Sequence, residues 1–596
     1  MGASLRPRGN FSDSIDNKPQ KIYIVTSDVV VPPYFKYKTI SAGEFKKLYR
    51  SSVENVYSFW MREAEQLVWR VKPSKAFEKG VWFIDGMLSP YENLLGRHRN
   101  TFVWDKVAVI WEDESGEIRV LTYSQLDALV SKMAGVLKAL GVSQGDWVLF
   151  YAPPTPEVLA LIHAAVKLGA PFEPVFTGWG WWALARRVVN RKPKLVVTVD
   201  AFPRKGKAVK TKEVVDRAVP KDVKVLVVER MGVKIERRRN DVFLQEVEPE
   251  DVQEDVVVSA GHPLFGLHAA YREGSRPITH VAGGYLVQTY ATTRWIGVRP
   301  RDTYFCTVMP GWITGVSYLL FGPFMVGATV VIYEGGPDYP HWDRWWSIIE
   351  RYAVTVLVTT AGAMRYLSRQ DPELLKKHNL DTLRLIVTTA EPFEEEVWRW
   401  TYQYVGTGTV PAVDSVPEKL TGRIPVIHAF VQTELGTFVT GQLPNYVFTP
   451  LKPSSAGPPI PGFYIDVVDE GGKPARGSPG RLVLKAPWPA LPLELQAFNG
   501  IYDTGDLAVM DENLYIYPQG RRDGVIKING YRVSPGEIEE AVKTALGVDV
   551  VVAKARDPLR FEVPVVYVKS EAKPEDVKKA VREYIGPIID VEVKLM

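Results

Sequence analysis

Short apolar runs rich in β-branched residues alternate with helical patterns along most of this 596-residue chain. Residues 195–199 and 354–359 read as buried strands, whereas residues 124–140 and 156–169 read as helices, the second ending at a capping glycine. Such alternation predicts an α/β fold, in which helices cover layered sheets. A chain of this length exceeds what one hydrophobic core supports, so two or more domains are expected.

Composition excludes several classes of protein. A hydrophobic content of 46% with 24% charged residues is ordinary for a soluble globular protein, and a formal charge of +4 does not favour nucleic acid as a partner. The single cysteine, Cys306, precludes an intrachain disulfide and fits a cytoplasmic location. Residues 303–333 carry no charge, but six glycines and prolines interrupt them, so we expect a buried strand–turn–helix–strand passage rather than a membrane span.

Residues 502–539 hold the densest group of chemically useful side chains. Asp506 lies in a Thr-Gly-Asp turn, Arg521 follows a glycine, and Arg532 lies just beyond Asn529-Gly530. A carboxylate on a tight glycine turn suits the two hydroxyls of a ribose. A guanidinium nearby can pair with a phosphate or a ribose oxygen. The segment therefore predicts a nucleotide site.

This segment resembles the C-terminal half of the AMP-forming acyl-CoA synthetases, the adenylate-forming superfamily. The aromatic leader with Phe59-Trp60, Trp82-Phe83 and Arg97-His98 resembles acetyl- and propionyl-CoA synthetases, so the resemblance runs from about residue 55 to 590. It implies a tail and lead-in (1–50), a large AMP-binding domain with layered sheets plus a β region (51–520), and a small mobile α/β lid (521–596). It also implies that a carboxylic acid, ATP and CoA give acyl-CoA, AMP and pyrophosphate, with Mg²⁺ as the metal.

Two motifs of the large domain resemble nucleotide-binding motifs of the family. Ala390-Glu391-Pro392 resembles a loop that lies against adenine, and Gln432-Thr433-Glu434 resembles a motif in which the threonine contacts the α-phosphate and the glutamate binds Mg²⁺. Carboxylate oxygen is a ligand that Mg²⁺ prefers. A strand-to-helix turn and a helix-capping turn are the structural alternatives.

Further residues take their expected roles from the same resemblance. Asp506 and Arg521 would hold the ribose, Arg532 would reach the phosphate, and Asp523 would be the hinge of the lid. Surface salt bridging is the alternative for Asp506, Arg521 and Arg532, and a solvated turn carboxylate is the alternative for Asp523.

A basic run offers a candidate contact for CoA. Arg204 and Lys207 occupy the place where family members contact a CoA phosphate. Cations on a loop suit phosphate, but a solvated charged face is an equal alternative.

The acyl pocket departs from the acetyl enzymes. They carry two tryptophans before the Gln-Thr-Glu motif, whereas this chain has Phe430-Val431. Trp312 and Thr314 would form the opposite wall, with a place in the hydrophobic core as an equal alternative. Replacing an indole with an isopropyl group makes room for methylenes, each worth roughly 0.8 kcal/mol when buried. We therefore expect an acid larger than acetate.

Two other departures affect the ATP half of the reaction. Residues 268–279, HAAYREGSRPIT, stand where the family has a phosphate loop rich in glycine and hydroxyl residues, and they retain one glycine. Bare backbone N–H groups let glycine-rich loops approach phosphate, so this loop is not expected to act in the same way. The family's C-terminal lysine motif is also not found in residues 591–596.

Three hypotheses remain open at this stage. The chain is an active acid–CoA ligase, a non-catalytic paralogue that binds AMP, acyl-AMP or CoA, or an enzyme that performs the thioester-forming half alone. A homo-oligomer and a pairing with an active synthetase are both compatible with these hypotheses.

Overall fold

The computed structural model describes residues 40–406, 424–498, 500–569 and 572–595. Its core consists of two seven-stranded sheets, each of which is parallel apart from one antiparallel pair at an edge. The first sheet contains, in spatial order, Asp241–Phe243, Lys224–Val228, Leu195–Val199, Val148–Tyr151, Phe172–Pro174, Pro263–Ala270 and Ser275–Val281. The second contains Val426–His428, Leu385–Thr389, Val356–Thr360, Thr303–Cys306, Thr329–Glu334, Val107–Asp113 and Ile118–Thr122. The predicted α/β class is confirmed.

Helices fill the space between and around these sheets. Every residue of Pro156–Lys167 except Glu157 is buried, as expected for a helix held between two layers. The helices are Ala42–Glu54, Val56–Ala64, Pro90–Leu94, Tyr123–Ala139, Pro156–Lys167, Trp181–Arg191, Thr211–Ala218, Ala282–Trp295, Ile313–Gly315, Gly322–Val326, Arg344–Arg351, Ala361–Leu367, Pro372–Lys376, Glu395–Trp400, Pro535–Leu546 and Pro574–Tyr584. Wider π turns, Val316–Phe321 and Thr401–Val405, continue two of them.

Two smaller sheets follow the central layers. An antiparallel sheet comprises Ile465–Val468, Pro479–Leu484, Tyr502–Met510 and Ile516–Arg521. The last sheet comprises Tyr531–Val533, Ile526–Ile528, Phe561–Val568, Val550–Asp557 and Glu592–Leu595, with helices Pro535–Leu546 and Pro574–Tyr584 packed on it. This C-terminal unit is the part of the chain that the resemblance describes as a lid.

The lid packs against helix Trp181–Arg191, which covers the outer face of the first sheet. Strand side chains alternate between the two faces of a sheet, so Val148 and Phe150 join the large central core, whereas Leu149 and Tyr151 join a second cluster. That second cluster also contains Ile526 and other apolar residues of the lid. Apolar burial therefore holds the lid against the large domain.

The uncharged residues 303–333 form strand Thr303–Cys306, a helical passage and strand Thr329–Glu334, as the sequence predicts. Glycine and proline residues break the passage into short pieces that are buried in the core. Among the described residues, no helix is long and apolar enough to cross a membrane.

Three short two-stranded sheets complete the fold. They pair Phe77–Glu78 with Val81–Trp82, Met87–Leu88 with Val258–Ser259, and Phe202–Arg204 with Lys207–Val209. Residues 42–50 of the predicted lead-in lie in helix Ala42–Glu54, which packs Phe45 and Tyr49 on the large domain, and residues 1–39 lie outside the described part of the chain.

Candidate functional site

A two-residue turn directs two lid cations at the large domain. Asn529 and Gly530 both have positive φ, 51° and 83°, the conformation of the tight turns that join antiparallel strands. The turn sets Lys527 directly opposite Arg532 on the paired strands Ile526–Ile528 and Tyr531–Val533. Directly opposed residues project to the same face of a hairpin, so both cations face the large domain.

The predicted ribose residues form a buried ion pair. Asp506 and Arg521 are direct partners on neighbouring antiparallel strands, with Oδ2 of Asp506 2.9 Å from Nη1 of Arg521. Gln432 donates its amide to the same carboxylate oxygen at 2.5 Å, and Lys527 donates to Oδ1 at 2.7 Å. Burial alone would raise the pKa of Asp506, but Lys527 and Arg521 outweigh it and lower that pKa below its ordinary value.

The predicted phosphate residues form a second buried group beside the first. Arg532 donates from Nη1 to Oε2 of Glu434 at 3.0 Å, and the Tyr271 hydroxyl donates to Oε1 at 2.9 Å. Burial acts to raise the pKa of Glu434, yet the Arg532 charge lowers it overall. Thr433 begins the short helical turn Thr433–Leu435 and is partly buried.

Glu434 is the residue that the sequence assigns to Mg²⁺. With Tyr271 and Arg532 on its two oxygens, the carboxylate does not fit a metal ion in this arrangement of the lid. The described residues also contain no cluster of three or more His, Cys, Asp or Glu side chains that could hold a metal.

The predicted adenine loop has the backbone of a glycine loop. Ala390 stands where the family has glycine, and its φ of 83° is a conformation that glycine adopts without strain. Glu391 is buried against Arg365 at 2.9 Å and accepts the Gly530 N–H at 3.2 Å, while Pro392 is buried. Burial raises the pKa of Glu391 to about 7, although Arg365 opposes the shift. The loop therefore contacts the lid directly.

Residues 268–279 form a hairpin rather than an open loop. His268–Ala270 and Ser275–Thr279 are ladder-paired parts of strands Pro263–Ala270 and Ser275–Val281. The hairpin turn contacts the lid: Arg272 pairs with Glu539, with Nη2 2.9 Å from Oε1, and Ser275 donates to Glu537 at 2.5 Å. The segment whose sequence departs from the family therefore contacts the lid directly.

The predicted acyl-pocket residues differ in burial. The Trp312 ring stacks on Tyr531 of the lid, with centroids 4.6 Å apart, and Thr314 is buried on the following turn. Phe430 belongs to the main core, whereas Val431 is partly buried at its edge. Val431 is thus the better placed of the two to contact a bound acid.

The predicted CoA residues lie on a small hairpin. Arg204 and Lys207 are directly paired on strands Phe202–Arg204 and Lys207–Val209. Arg204 donates to Glu114 at 3.0 Å, and the Lys207 side chain is exposed. Both sit near the surface, where a phosphate can reach them.

Asp523 lies between the antiparallel sheet and the first lid strand. Its carboxylate pairs with Arg521 and accepts the Val525 N–H at 3.2 Å. The following residue, Gly524, has a φ of 78°. Asp523 therefore sits at the junction where the sequence places the hinge.

Sequence reasoning missed three members of the site: Lys527, Arg365 and Tyr271. Lys527 had a usable signal, because Asn529-Gly530 is typical of a two-residue hairpin turn, and such a turn sets Lys527 opposite Arg532. Arg365 and Tyr271 are far in sequence from Glu391 and Glu434, and no local pattern marks them.

Comparison with known proteins adds independent findings. The chain matches the model of AMP-binding enzymes over residues 97–264 and 277–491, and that of the acetyl-coenzyme A synthetase N-terminus over 45–94. The interruption at residues 265–276 includes the turn that contacts the lid.

Curated relatives match along most of their length. The acetyl-coenzyme A synthetase of Pyrobaculum aerophilum is 36% identical over 97% of this chain and 91% of its own. The 3-hydroxypropionyl-coenzyme A synthetase of Sulfurisphaera tokodaii is 35% identical over 92% and 87%. The acetyl-coenzyme A synthetase of Chlorobaculum tepidum is 34% identical over 84% and 78%.

Proposed function

This chain belongs to the AMP-binding enzymes, and from that premise we propose that it is an acid–CoA ligase acting through an acyl-adenylate. One observation carries the proposal: the residues assigned to the ribose and the phosphate, Asp506, Arg521, Glu434 and Arg532, lie in adjoining buried groups at the lid interface. Gln432 joins the two, because its amide bonds Asp506 and it lies two residues before Glu434.

The proposed reaction has two balanced steps. A carboxylate oxygen attacks the α-phosphorus of ATP and pyrophosphate leaves; the CoA thiol then loses its proton and attacks the acyl carbonyl, and AMP leaves. Negative charge develops at phosphorus or at the carbonyl in each step, so a fixed cation lowers the barrier. Arg532, which the lid hairpin holds within the buried cluster, is the residue we assign to this task.

If Glu434 binds Mg²⁺ during ATP cleavage, its carboxylate must first release Tyr271 and Arg532. Mg²⁺ use is therefore part of the proposal only for the ATP step, and AMP release with and without EDTA tests it. We further propose that the lid (521–596) moves relative to the large domain (51–520). We also propose that Arg204 and Lys207 contact CoA and that the protein acts in the cytoplasm.

We also propose an acid larger than acetate, because the isopropyl group of Val431 is smaller than the indole that the acetyl enzymes carry at this position. Val431→Trp should reduce kcat/KM for butyrate and hexanoate by about fourfold per excluded methylene, which corresponds to roughly 0.8 kcal/mol each. The kcat/KM for acetate should be little changed or improved. An unchanged order of preference in the variant would show that Val431 does not bound the pocket.

The central experiment follows pyrophosphate and AMP release with ATP, Mg²⁺, CoA and a panel of C2–C8 acids. Acyl-CoA formation with stoichiometric AMP and pyrophosphate supports the full ligase. Arg532→Ala should lower kcat by about 10²-fold or more, as expected for loss of a group that stabilises developing charge. An absence of acyl-CoA from both ATP plus acid and supplied acyl-AMP would overturn the ligase proposal.

A second candidate is the thioester-forming half-reaction alone. The hairpin at residues 268–279 favours it, because the strands and lid contacts there replace a glycine-rich phosphate cradle. Supplied acyl-AMP and CoA should then give acyl-CoA, while ATP and free acid release no pyrophosphate. The non-catalytic alternative instead predicts AMP binding by calorimetry with no acyl-CoA from either source.

A further inference from the structure

The turn at residues 271–274 lies where the family resemblance places the phosphate loop. It joins strands Pro263–Ala270 and Ser275–Val281, and the Tyr271 N–H closes it by donating to the Gly274 carbonyl at 2.8 Å. That N–H is therefore used within the turn. A phosphate loop works in the opposite way, with its N–H groups directed at the ligand.

The Tyr271 side chain points into the buried cluster of Glu434 and Arg532, the residues predicted to lie near the phosphates. Its hydroxyl donates to Glu434 at 2.9 Å, and its ring is covered by Arg276, whose guanidinium carbon lies 4.8 Å from the ring centroid. Burial and the Glu434 charge raise the pKa of Tyr271 well above its ordinary value. The phenol therefore keeps its proton at neutral pH and acts as a donor to the carboxylate.

The turn presents carbonyl oxygens to the start of a lid helix. The Gly536 N–H donates to the Arg272 carbonyl at 2.9 Å, and a Cβ at Gly536 would lie 2.5 Å from the Glu273 carbonyl oxygen. Helix N-termini favour such acceptors because their first N–H groups lack partners within the helix. Acceptors on this surface repel phosphate oxygens, which are acceptors themselves.

We propose that Tyr271 makes this nucleotide site selective for a 5′-monophosphate, as in AMP or acyl-AMP, over a triphosphate. The ring takes space that β- and γ-phosphates need, and its hydroxyl holds the carboxylate that would face them. The proposal rests on the proposed ligase site in one respect, namely that AMP binds beside Asp506 and Glu434. On this proposal, the Tyr271 side chain determines whether the site binds ATP, the substrate of the first step, or acyl-AMP, the substrate of the second.

Calorimetric titration of the full chain with AMP and with ATP, both in Mg²⁺ buffer, tests this selectivity. The wild type should bind AMP at least tenfold more tightly than ATP. Tyr271→Ser should strengthen ATP binding by about tenfold, which corresponds to relief of an overpacked contact, and leave AMP binding within about threefold. Tyr271→Phe keeps the ring and should keep most of the preference for AMP.

Glu273→Gln is the matched control on the same turn. The Glu273 side chain is 74% exposed and lies 3.8 Å from Arg276, so its neutralisation should leave the ratio of AMP to ATP affinity unchanged. An increase in ATP affinity in this variant, but not in Tyr271→Ser, would assign the preference to charge and overturn the proposal. Equal affinities in the wild type, or no AMP binding, would overturn it as well.

Failure of the ligase proposal remains distinguishable from failure of this one. Thioester formation from supplied acyl-AMP and CoA reports on the ligase and does not depend on the ratio of AMP to ATP affinity. Equal thermal midpoints of the variants and the wild type would establish that each variant is folded. A Tyr271-dependent affinity ratio in a protein that forms no acyl-CoA would uphold the selectivity and reject the ligase.

Discussion

At the residue scale, burial decides what each ion pair of this protein contributes. Asp506 and Arg521 are almost completely buried, whereas the neighbouring Arg522 is 42% exposed and pairs with Asp503. When a buried charge loses its partner, no water is present to solvate the charge that remains. When an exposed charge loses its partner, water solvates it. Two adjacent arginines of this chain therefore differ greatly in their expected contribution to stability.

Arg521→Ala should lower the free energy of unfolding by about 3–5 kcal/mol, because it removes a buried partner of Asp506. Arg522→Ala should change it by less than about 1 kcal/mol, since its pair is exposed. Equilibrium denaturant unfolding of both variants measures the difference. Similar values for the two would contradict the burial argument.

The chemistry of single residues was only partly predictable from the sequence. The carboxylate of Asp506 and the guanidinium of Arg521 could be assigned to one site, because a glycine turn and a motif mark each of them. Lys527 also bonds Asp506, and its role depends on how the lid docks. The Asn529-Gly530 turn places Lys527 opposite Arg532, but nothing local in the sequence identifies Asp506 as its partner.

At the element scale, local sequence rules explain most of the helices and turns. Helix Pro535–Leu546 begins after the capping Ser534 with Pro535 at its first position and ends before Gly547, which has a φ of 72°. Which surface each helix covers was not predictable, since that depends on partners distant in sequence.

Gly536→Ala should displace the start of the lid helix. The added Cβ would lie 2.5 Å from the Glu273 carbonyl oxygen, closer than such atoms pack. Loosening of this contact should speed tryptic cleavage after the exposed Arg522 at the domain junction. Limited proteolysis followed by mass spectrometry measures the rate.

The control for this prediction is Gly43→Ala. Gly43 is likewise the second residue of its helix, Ala42–Glu54, and a Cβ there would meet nothing within 4 Å. Because alanine has the higher helix propensity, this variant should be unchanged or more stable by up to about 1 kcal/mol. Equal cleavage rates in both variants and the wild type would contradict a role for the Gly536 contact.

At the scale of the whole molecule, ionic contacts join the lid to the large domain. These contacts are fully formed at pH values above the ordinary carboxyl pKa values. Asp506 and Glu434 of the large domain accept from Lys527 and Arg532 of the lid, and these cations lower the pKa of both carboxyls against burial. A lowered folded-state pKa means stability that is fully present above the unfolded values, 3.8 and 4.5, and lost as pH falls through the lowered ones.

We therefore expect the thermal midpoint to fall steeply below about pH 4 as these carboxyls gain protons. Glu391 has the opposite sign: burial raises its pKa to about 7, so its contribution declines as pH rises from 4.5 to about 7. Calorimetry from pH 3 to 8 measures both windows. Glu391→Gln should flatten the upper one and leave the acid limb intact, and an unaltered upper window would contradict the assignment.

The sequence by itself determined the α/β class and the family, and it predicted several of the groups proposed to hold a nucleotide. It could do so because strand and helix periodicity, glycine turns and short motifs are local properties of the chain. Only the tertiary structure decided that Tyr271 bonds Glu434 across 163 residues and that lid cations cover the carboxylates of the site. Those contacts depend on how distant parts of the chain pack, and packing of distant surfaces has no local sequence pattern.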